Sequence, residues 1–326
     1  MLYGKSCSRT MLSLCLAVSA PAVWAESSTG LSGHVETGME YDSNLTVDNL
    51  NAASGKSDEA WLIGAGVDGE WNPGDRAHLN LGYSFTGNRY QTYDEFDQDI
   101  HLLSAEAGYD FDPFTLGASY HFSHATLDSD PFLDYARTSV FIGSLVSDDV
   151  YLRGSVQKKR KSFEDSEARD ADIQGVTGEA YLFFNDAHSH VLLGVDGDRE
   201  DARSDYYDNR LVRFRSKLVH TVDLSGHRNR FSLGWRFEKR DYDDVVLTST
   251  DPAAQDPLFN PFASPTTTTQ TQDRAETASV FQAGWTVDLS SIFSLETQLS
   301  QGFYHAAVDS EDYRKTVASV TLKAGF

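Results

Sequence analysis

The stretch Thr321-Leu322-Lys323-Ala324-Gly325-Phe326 alternates apolar and polar side chains and finishes on an aromatic ring. Traced backwards, the alternation puts Ala318, Val320, Leu322, Ala324 and Phe326 on one face and Val317, Ser319, Thr321 and Lys323 on the other. Successive side chains of a β-strand point to opposite faces, so the first set suits hydrocarbon and most of the second suits water. The backbone of such a strand needs hydrogen-bond partners along its whole length. In lipid, only a sheet closed on itself supplies them without leaving an edge. The expectation is the closing strand of a transmembrane β-barrel.

The same period of two recurs along the chain and defines fourteen candidate strands. They lie at 31–45, 60–71, 76–90, 97–110, 114–126, 134–146, 150–163, 169–185, 188–202, 208–223, 229–243, 273–288, 292–305 and 312–326. The eleventh shows the pattern clearly: Phe231, Leu233, Trp235 and Phe237 oppose Arg230, Ser232, Gly234, Arg236 and Glu238. Connections alternate in length. Tight turns such as Asn72-Pro73-Gly74-Asp75, Asp112-Pro113 and Ser225-Gly226 follow the even-numbered strands. Their Pro, Gly, Asn, Asp and Ser supply the special dihedrals that turns require. Connections after the odd-numbered strands are mostly longer and rich in Asp, Glu, Ser and Thr. The fold class is therefore all-β: a single closed antiparallel barrel of about 14 strands, with short periplasmic turns and longer extracellular loops. Aromatic residues near strand ends, among them Trp61, Trp71, Tyr109, Trp235 and Trp285, fit interfacial girdles. A soluble β-sandwich would place such aromatics in its core, but it has no reason to alternate short and long loops.

Residues 1–25 have the layout of a secretory signal peptide, leaving 26–326 for the barrel. Lys5 and Arg9 precede an apolar run from Met11 to Ala20, and Val23-Trp24-Ala25 offers a cleavage site before Glu26. The run is well short of the ~20 residues a spanning helix needs. Leu14 before Cys15 is too bulky for a lipidation site. Both cysteines, Cys7 and Cys15, fall in this leader, which excludes disulfides and cysteine chemistry from the mature part. Removing Lys5 and Arg9 from 27 basic residues leaves 25 against 49 acidic ones, a net charge of −24. That field makes nucleic acid an unsuitable partner and suits surface loops that meet divalent cations and lipopolysaccharide. The mean hydropathy of −0.41 excludes a helical membrane protein but not a barrel whose strands alternate.

The alternation also assigns an interior face. The early strands contribute Glu36, Glu40, Asp68, Glu70, Glu106 and Asp110, and the later ones Arg153, Gln157, Arg213, Arg215, Lys217, Arg230, Arg236, Arg240 and Lys323. The expectation is an acidic wall facing a largely basic one along a water-filled bore, because fourteen strands enclose more space than side chains fill in an eight-stranded barrel. Residues 244–272 hold Pro252, Pro257, Pro261 and Pro265 and read as a long irregular loop, folded into the bore or out from the surface.

Catalytic and metal readings find little support. His121 and Ser123 share a face and could act as base and nucleophile. The alternation turns both into the lumen, however, whereas hydrolysis of a membrane lipid needs them on the outside. Asp196-Gly197-Asp198-Arg199-Glu200-Asp201 opens like a calcium loop, but Arg199 and Glu200 interrupt the ligand spacing and Tyr207 occupies the twelfth position. No catalytic residue, dedicated metal site or cofactor is assigned. Lys158 to Lys161 form a basic cluster near the outer rim, placed to meet lipopolysaccharide phosphates.

The first strand carries Gly38-Met39-Glu40-Tyr41-Asp42-Ser43-Asn44-Leu45. This is similar to the Gly-x-x-Tyr-Asp-Ser-Asn opening of a Gram-negative outer-membrane barrel superfamily. That group includes the barrel domain of surface lipoprotein assembly modifiers and porin-like proteins. Phe326 likewise resembles the terminal aromatic by which outer-membrane proteins engage the barrel-insertion machinery. The resemblance implies a location in the outer membrane and contact with its lipid. Assembly modifiers carry helical tetratricopeptide repeats before the barrel, whereas only Glu26 to Gly30 separate leader and first strand here. An export or assembly role would thus need a separate periplasmic partner. The leading expectation is a non-enzymatic conduit for small polar or charged solutes; the others are export or assembly of a surface lipoprotein or exopolysaccharide, and a structural or adhesive surface barrel.

Overall fold

A computed structural model describes residues 29–45, 54–250, 267–306 and 312–326; the expected leader at 1–25 and the four loop prolines lie outside these residues. Fourteen antiparallel strands are present: β1 (Thr29–Asp42), β2 (Asp58–Trp71), β3 (Ala77–Tyr90), β4 (Gln98–Asp110), β5 (Thr115–Leu127), β6 (Asp130–Ser147), β7 (Val150–Phe163), β8 (Ala171–Phe184), β9 (Ser189–Ala202), β10 (Asn209–Leu224), β11 (His227–Thr250), β12 (Thr267–Asp288), β13 (Phe293–Ala306) and β14 (Tyr313–Gly325). Each pairs with its sequence neighbours, and β1 pairs with β14 from His34↔Gly325 to Asp42↔Val317, so the sheet closes. The ladder runs on past the last strand residue. Gly33 N–H donates to the Phe326 carbonyl at 3.1 Å, and Phe326 N–H donates to Gly33 at 3.0 Å.

Large apolar side chains stand outward around the whole circumference, with Leu31, Trp61, Leu81, Val156, Leu233, Phe281 and Val320 all exposed. A soluble protein rarely tolerates a contiguous apolar surface beyond a few hundred Å². Hydrocarbon is the solvent that suits this one, as the exterior of a transmembrane β-barrel requires. Fourteen strands about 4.8 Å apart, tilted by roughly 40°, give a backbone diameter of about 28 Å.

One end of the barrel carries tight turns. Asn185, Asp186 and Ala187 take positive φ between β8 and β9, and Ser225 and Gly226 do so between β10 and β11. The opposite end departs from the sequence expectation in two places. The β5–β6 connection is a two-residue turn, Asp128-Ser129, with φ of 50° and 71°. Expected as a longer loop, it is short because β6 begins at Asp130 and accommodates Pro131 beside a bulge at Ala125/Thr126. Residues 244–272 are not irregular throughout. Beyond a register shift between Tyr242 and Val245, pairing continues from Val245↔Gln272 to Thr250↔Thr267. β-Branched Val245, Val246, Thr248 and the Thr267–Thr269 run favour this extension.

Three outer connections share a closure that the sequence reading did not detect. Each contains a single 3-10 turn, at Asp94–Phe96, Glu167–Arg169 and Asp205–Tyr207, followed by Asp97, Asp170 or Asp208. That aspartate accepts the backbone N–H at the end of the preceding strand: Tyr90 at 2.7 Å, Phe163 at 2.8 Å and Ala202 at 2.7 Å. The pattern is an acidic residue followed three positions later by Asp. On the first of these loops Lys56 Nζ donates to Glu95 at 2.7 Å, and this bond lowers the Glu95 carboxyl from its ordinary range.

The Tyr41-Asp42-Ser43-Asn44 motif works at the seam. Buried Asp42 takes the Asn44 N–H at 2.9 Å and pairs with Lys315 of β14 at 2.9 Å. Ser43 N–H donates to the Thr316 carbonyl at 3.0 Å and Ser43 Oγ accepts from Thr316 N–H at 2.7 Å. A Cβ on Gly38 would collide with the Val320 carbonyl across the same seam. Asp42→Ala is expected to lower stability by about 2 kcal/mol, the scale of a charge-assisted hydrogen bond. Urea unfolding of the barrel refolded into lipid vesicles checks this, and an unchanged midpoint contradicts the seam role.

Candidate functional site

The interior face is built by the pleat. On β10, outward Val212, Phe214 and Leu218 are exposed to the lipid side, so Arg213, Arg215 and Lys217 point inward. Register carries the same assignment around the barrel, because directly opposed residues share a face. Arg213 opposes Glu238 and Asp196, and Arg215 opposes Arg236. By this rule Glu36, Glu40, Asp68, Glu70, Glu106, Arg153, Arg213, Arg215, Lys217, Arg230, Arg236 and Arg240 all stand on the interior face.

The expected basic wall is not basic on balance. Arg213 Nε donates to Glu238 at 2.7 Å, and Arg236 approaches the same carboxylate at 3.2 Å. Arg215 is shared between Asp196 at 3.0 Å and Glu179 at 3.1 Å, and Arg240 lies 3.5 Å from Glu276. Arg153 reaches Glu106 of β4 at 2.7 Å, passing 3.7 Å over the ring of buried Phe141. Lateral ion pairs therefore replace the expected segregation over most of this wall. The physical reason is that carboxylates on the same strand or one to three strands away fall within reach of each long cation.

Two motif readings change in consequence. Asp196, Asp198 and Glu200 are interior residues of β9 and hold cations, whereas Arg199 and Asp201 face outward. The Lys158–Lys161 cluster splits by the pleat. Lys159 and Lys161 point inward, to Asp198 at 2.6 Å and Glu200 at 2.9 Å. Lys158 and Arg160 point outward, and both approach Asp172, at 3.6 and 3.3 Å. His121 and Ser123 oppose Arg137 and Tyr135 on the interior face, away from lipid.

Some interior charges make no ion pair among the described residues. On β10, β11 and β14 these are Lys217, Arg230 and Lys323, which border a recess of about 520 Å³ with Gln282, Glu296 and Gln298. On β1 and β2 they are Glu36 and Asp68. β2 and β10 lie nearly opposite in the closed order, six strands apart one way and eight the other. Arg137 on β6 and Glu296 on β13 are likewise without an ion pair among the described residues, and Lys323 stands directly across the β1–β14 ladder from Glu36. These charges are therefore mixed in sign around the bore, with Asp68 and Lys217 nearly opposite each other.

Comparison with protein-family models and with curated proteins finds no match. Solved structures give the fold. Outer membrane protein OmpT of Vibrio cholerae, in its trimer form, superposes with a TM-score of 0.53 at 7% identity, covering 93% of this chain and 100% of that one. A loop L8 deletion mutant of the same protein gives 0.52 at 8%, covering 92% and 99%. The outer membrane channel DcaP of Acinetobacter baumannii gives 0.51 at 11%, covering 95% and 100%. At these identities the likeness is one of architecture.

The Lys159–Asp198 pair yields a direct prediction. Its side chains are only 9% and 8% exposed, and Asp198 Oδ1 has no hydrogen-bond partner among the described residues. Removing one partner of a buried pair strands the other charge, at a cost of about 3–5 kcal/mol. Lys159→Met should therefore destabilise the refolded barrel on that scale, and Lys159→Met with Asp198→Leu should recover most of it. Denaturant midpoints in lipid vesicles check both, and equal midpoints for the single and double variants contradict the coupling.

Proposed function

We propose that the barrel is a non-enzymatic passive conduit for small polar or charged solutes across the outer membrane. The observation that carries this reading is the set of interior charges without an ion pair among the described residues, with Asp68 nearly opposite Lys217 and Glu36 and Arg230 on the wall between them. An interior meant only to be plugged gains by neutralising its charges, and the upper part of the wall pairs Arg213, Arg215, Arg240, Lys159 and Lys161 while leaving Arg137 without an ion pair among the described residues. Charges left in water at the turn-side half retain their field, because low-dielectric walls weaken screening. A solute with separated charges would be oriented as it passes. Glu40, Glu70, Glu106, Arg153 and Arg236 would shape the path through their pairs and size.

Planar-bilayer recording of the purified protein tests this. Stable open steps are expected. Lys217→Glu with Arg230→Glu should shift the reversal potential in a salt gradient toward cation preference, and Glu36→Gln with Asp68→Asn toward anion preference. Arg213→Glu with Arg215→Glu, which disrupts paired residues, should perturb stability as well as selectivity. Absence of conductance would instead favour a blocked barrel or one acting in export or assembly with a separate periplasmic partner. Unchanged preference in the first two variants would remove these residues from the path.

A further inference from the structure

On the lipid-facing wall, Arg199 of β9 and Arg210 of β10 are direct cross-strand partners and both are exposed. Like charges placed opposite each other in a sheet destabilise it. Neither guanidinium makes a hydrogen bond or ion pair among the described residues. Arg210 has an acid across its other edge, Asp241, but that carboxylate is held by Lys239 at 2.8 Å. The arrangement stands out in a chain with 49 acidic residues and 27 basic ones, where carboxylates are abundant and most long interior cations find one.

The row continues along the wall. Arg199 opposes Gln174 of β8, which opposes Lys158 of β7. Lys158 and Arg160 already share Asp172, so the arginine pair is the uncompensated part. Immediately toward the membrane centre on the same strands stand Val156, Val176, Val195, Val212 and Phe214, all exposed and apolar. Outward Gly178 and Gly197 leave a shallow depression among them, each with a single valine methyl as its nearest cross-strand neighbour. Val222 to Arg210 covers about 40 Å of strand, or roughly 30 Å of depth once tilted. That sets the arginines at the outer edge of an apolar band about 25 Å tall, the level of the outer-leaflet headgroups.

We infer that Arg199 and Arg210, with Gln174 and Lys158, form a binding site for the phosphate monoester of an outer-leaflet glycolipid, whose acyl chains lie along the valines below. Two guanidinium forks suit a dianionic phosphate, which accepts bidentate hydrogen bonds from each. A phosphate between them turns mutual repulsion into two charge-assisted contacts. The lipid source is favoured over free phosphate because the charged row and the apolar row are contiguous on one lipid-facing surface.

The test uses the full-length mature barrel in phosphatidylcholine nanodiscs doped with bisphosphoryl lipid A, monophosphoryl lipid A or phosphatidylglycerol. Lipid retained after transfer to detergent is counted by native mass spectrometry. Wild type should retain bisphosphoryl lipid A, and Arg199→Ser with Arg210→Ser should retain on the order of tenfold less, the loss of a charge-assisted contact. Arg76→Ser, on a cation paired with Asp112 at the tight-turn end of the barrel, should change nothing. Heat-modifiable migration on gels reports folding. If the serine variant does not fold, Arg199→Lys with Arg210→Lys keeps the charge but loses the forks and should still lower retention several-fold. Equal retention in the folded variants overturns the site. So does equal retention of phosphatidylglycerol by wild type, or displacement of the lipid by millimolar inorganic phosphate, which would assign the pair to free anion.

Discussion

In hydrocarbon, each strand edge must find a partner, and every other feature of this barrel answers to that requirement. The pairing of β1 with β14 is where it is met. The seam joins the two ends of the described chain and depends on specific side chains as well as the ladder. Gly38 permits close approach, buried Asp42 holds Lys315, Ser43 binds Thr316 twice, and Phe326 extends the hydrogen bonding to Gly33. The motif that resembles a barrel superfamily is thus engaged in closing the sheet, which explains why it speaks for architecture and is silent on cargo.

Closure fixes the pleat, and the pleat sorts the chemistry. Outward positions hold a continuous apolar belt, while inward positions collect the most deeply buried ion pairs. Desolvation makes an isolated interior charge costly, so Lys159, Lys161, Arg213, Arg215 and Arg240 on the crowded upper wall are matched to nearby carboxylates. Nearer the tight turns a recess leaves room for Lys217 and Arg230 without an ion pair among the described residues. The proposed conduit role and the proposed lipid site rest on the same reasoning applied to opposite faces: charges left unmatched in a protein that otherwise matches them.

Much of the fold is legible in the chain because period-two alternation is a local property. The faces of β3, β5, β11 and β14 can be assigned from adjacent residues alone. Strand ends were less legible. The prolines around 252–265 suggested irregularity for all of 244–272, yet β-branched residues on both sides carry β11 and β12 further. The Asp128-Ser129 turn is hard to read because Pro131 is atypical within a strand, and it is accommodated only at a bulge near a strand start. The interior face of each candidate residue was readable, but its partner was not. Whether Arg215 meets Glu179 or Lys159 meets Asp198 depends on register across two strand boundaries, which no single segment encodes. The acidic-x-x-Asp closures at Asp97, Asp170 and Asp208 were visible as spacing, and became recognisable once their shared hydrogen bond to the strand end was seen.

The central claim, a lipid-facing exterior alternating with a wet interior, is open to one direct measurement. Cys7 and Cys15 both fall in the expected leader, so single cysteines can be placed one at a time from Phe231 to Phe237 on β11. A fluorophore at 231, 233, 235 or 237 should be quenched by spin-labelled lipid in vesicles, whereas a free thiol at 232, 234 or 236 should react with a charged, water-borne reagent. Quenching and reactivity that fail to alternate between successive positions would contradict the barrel described here.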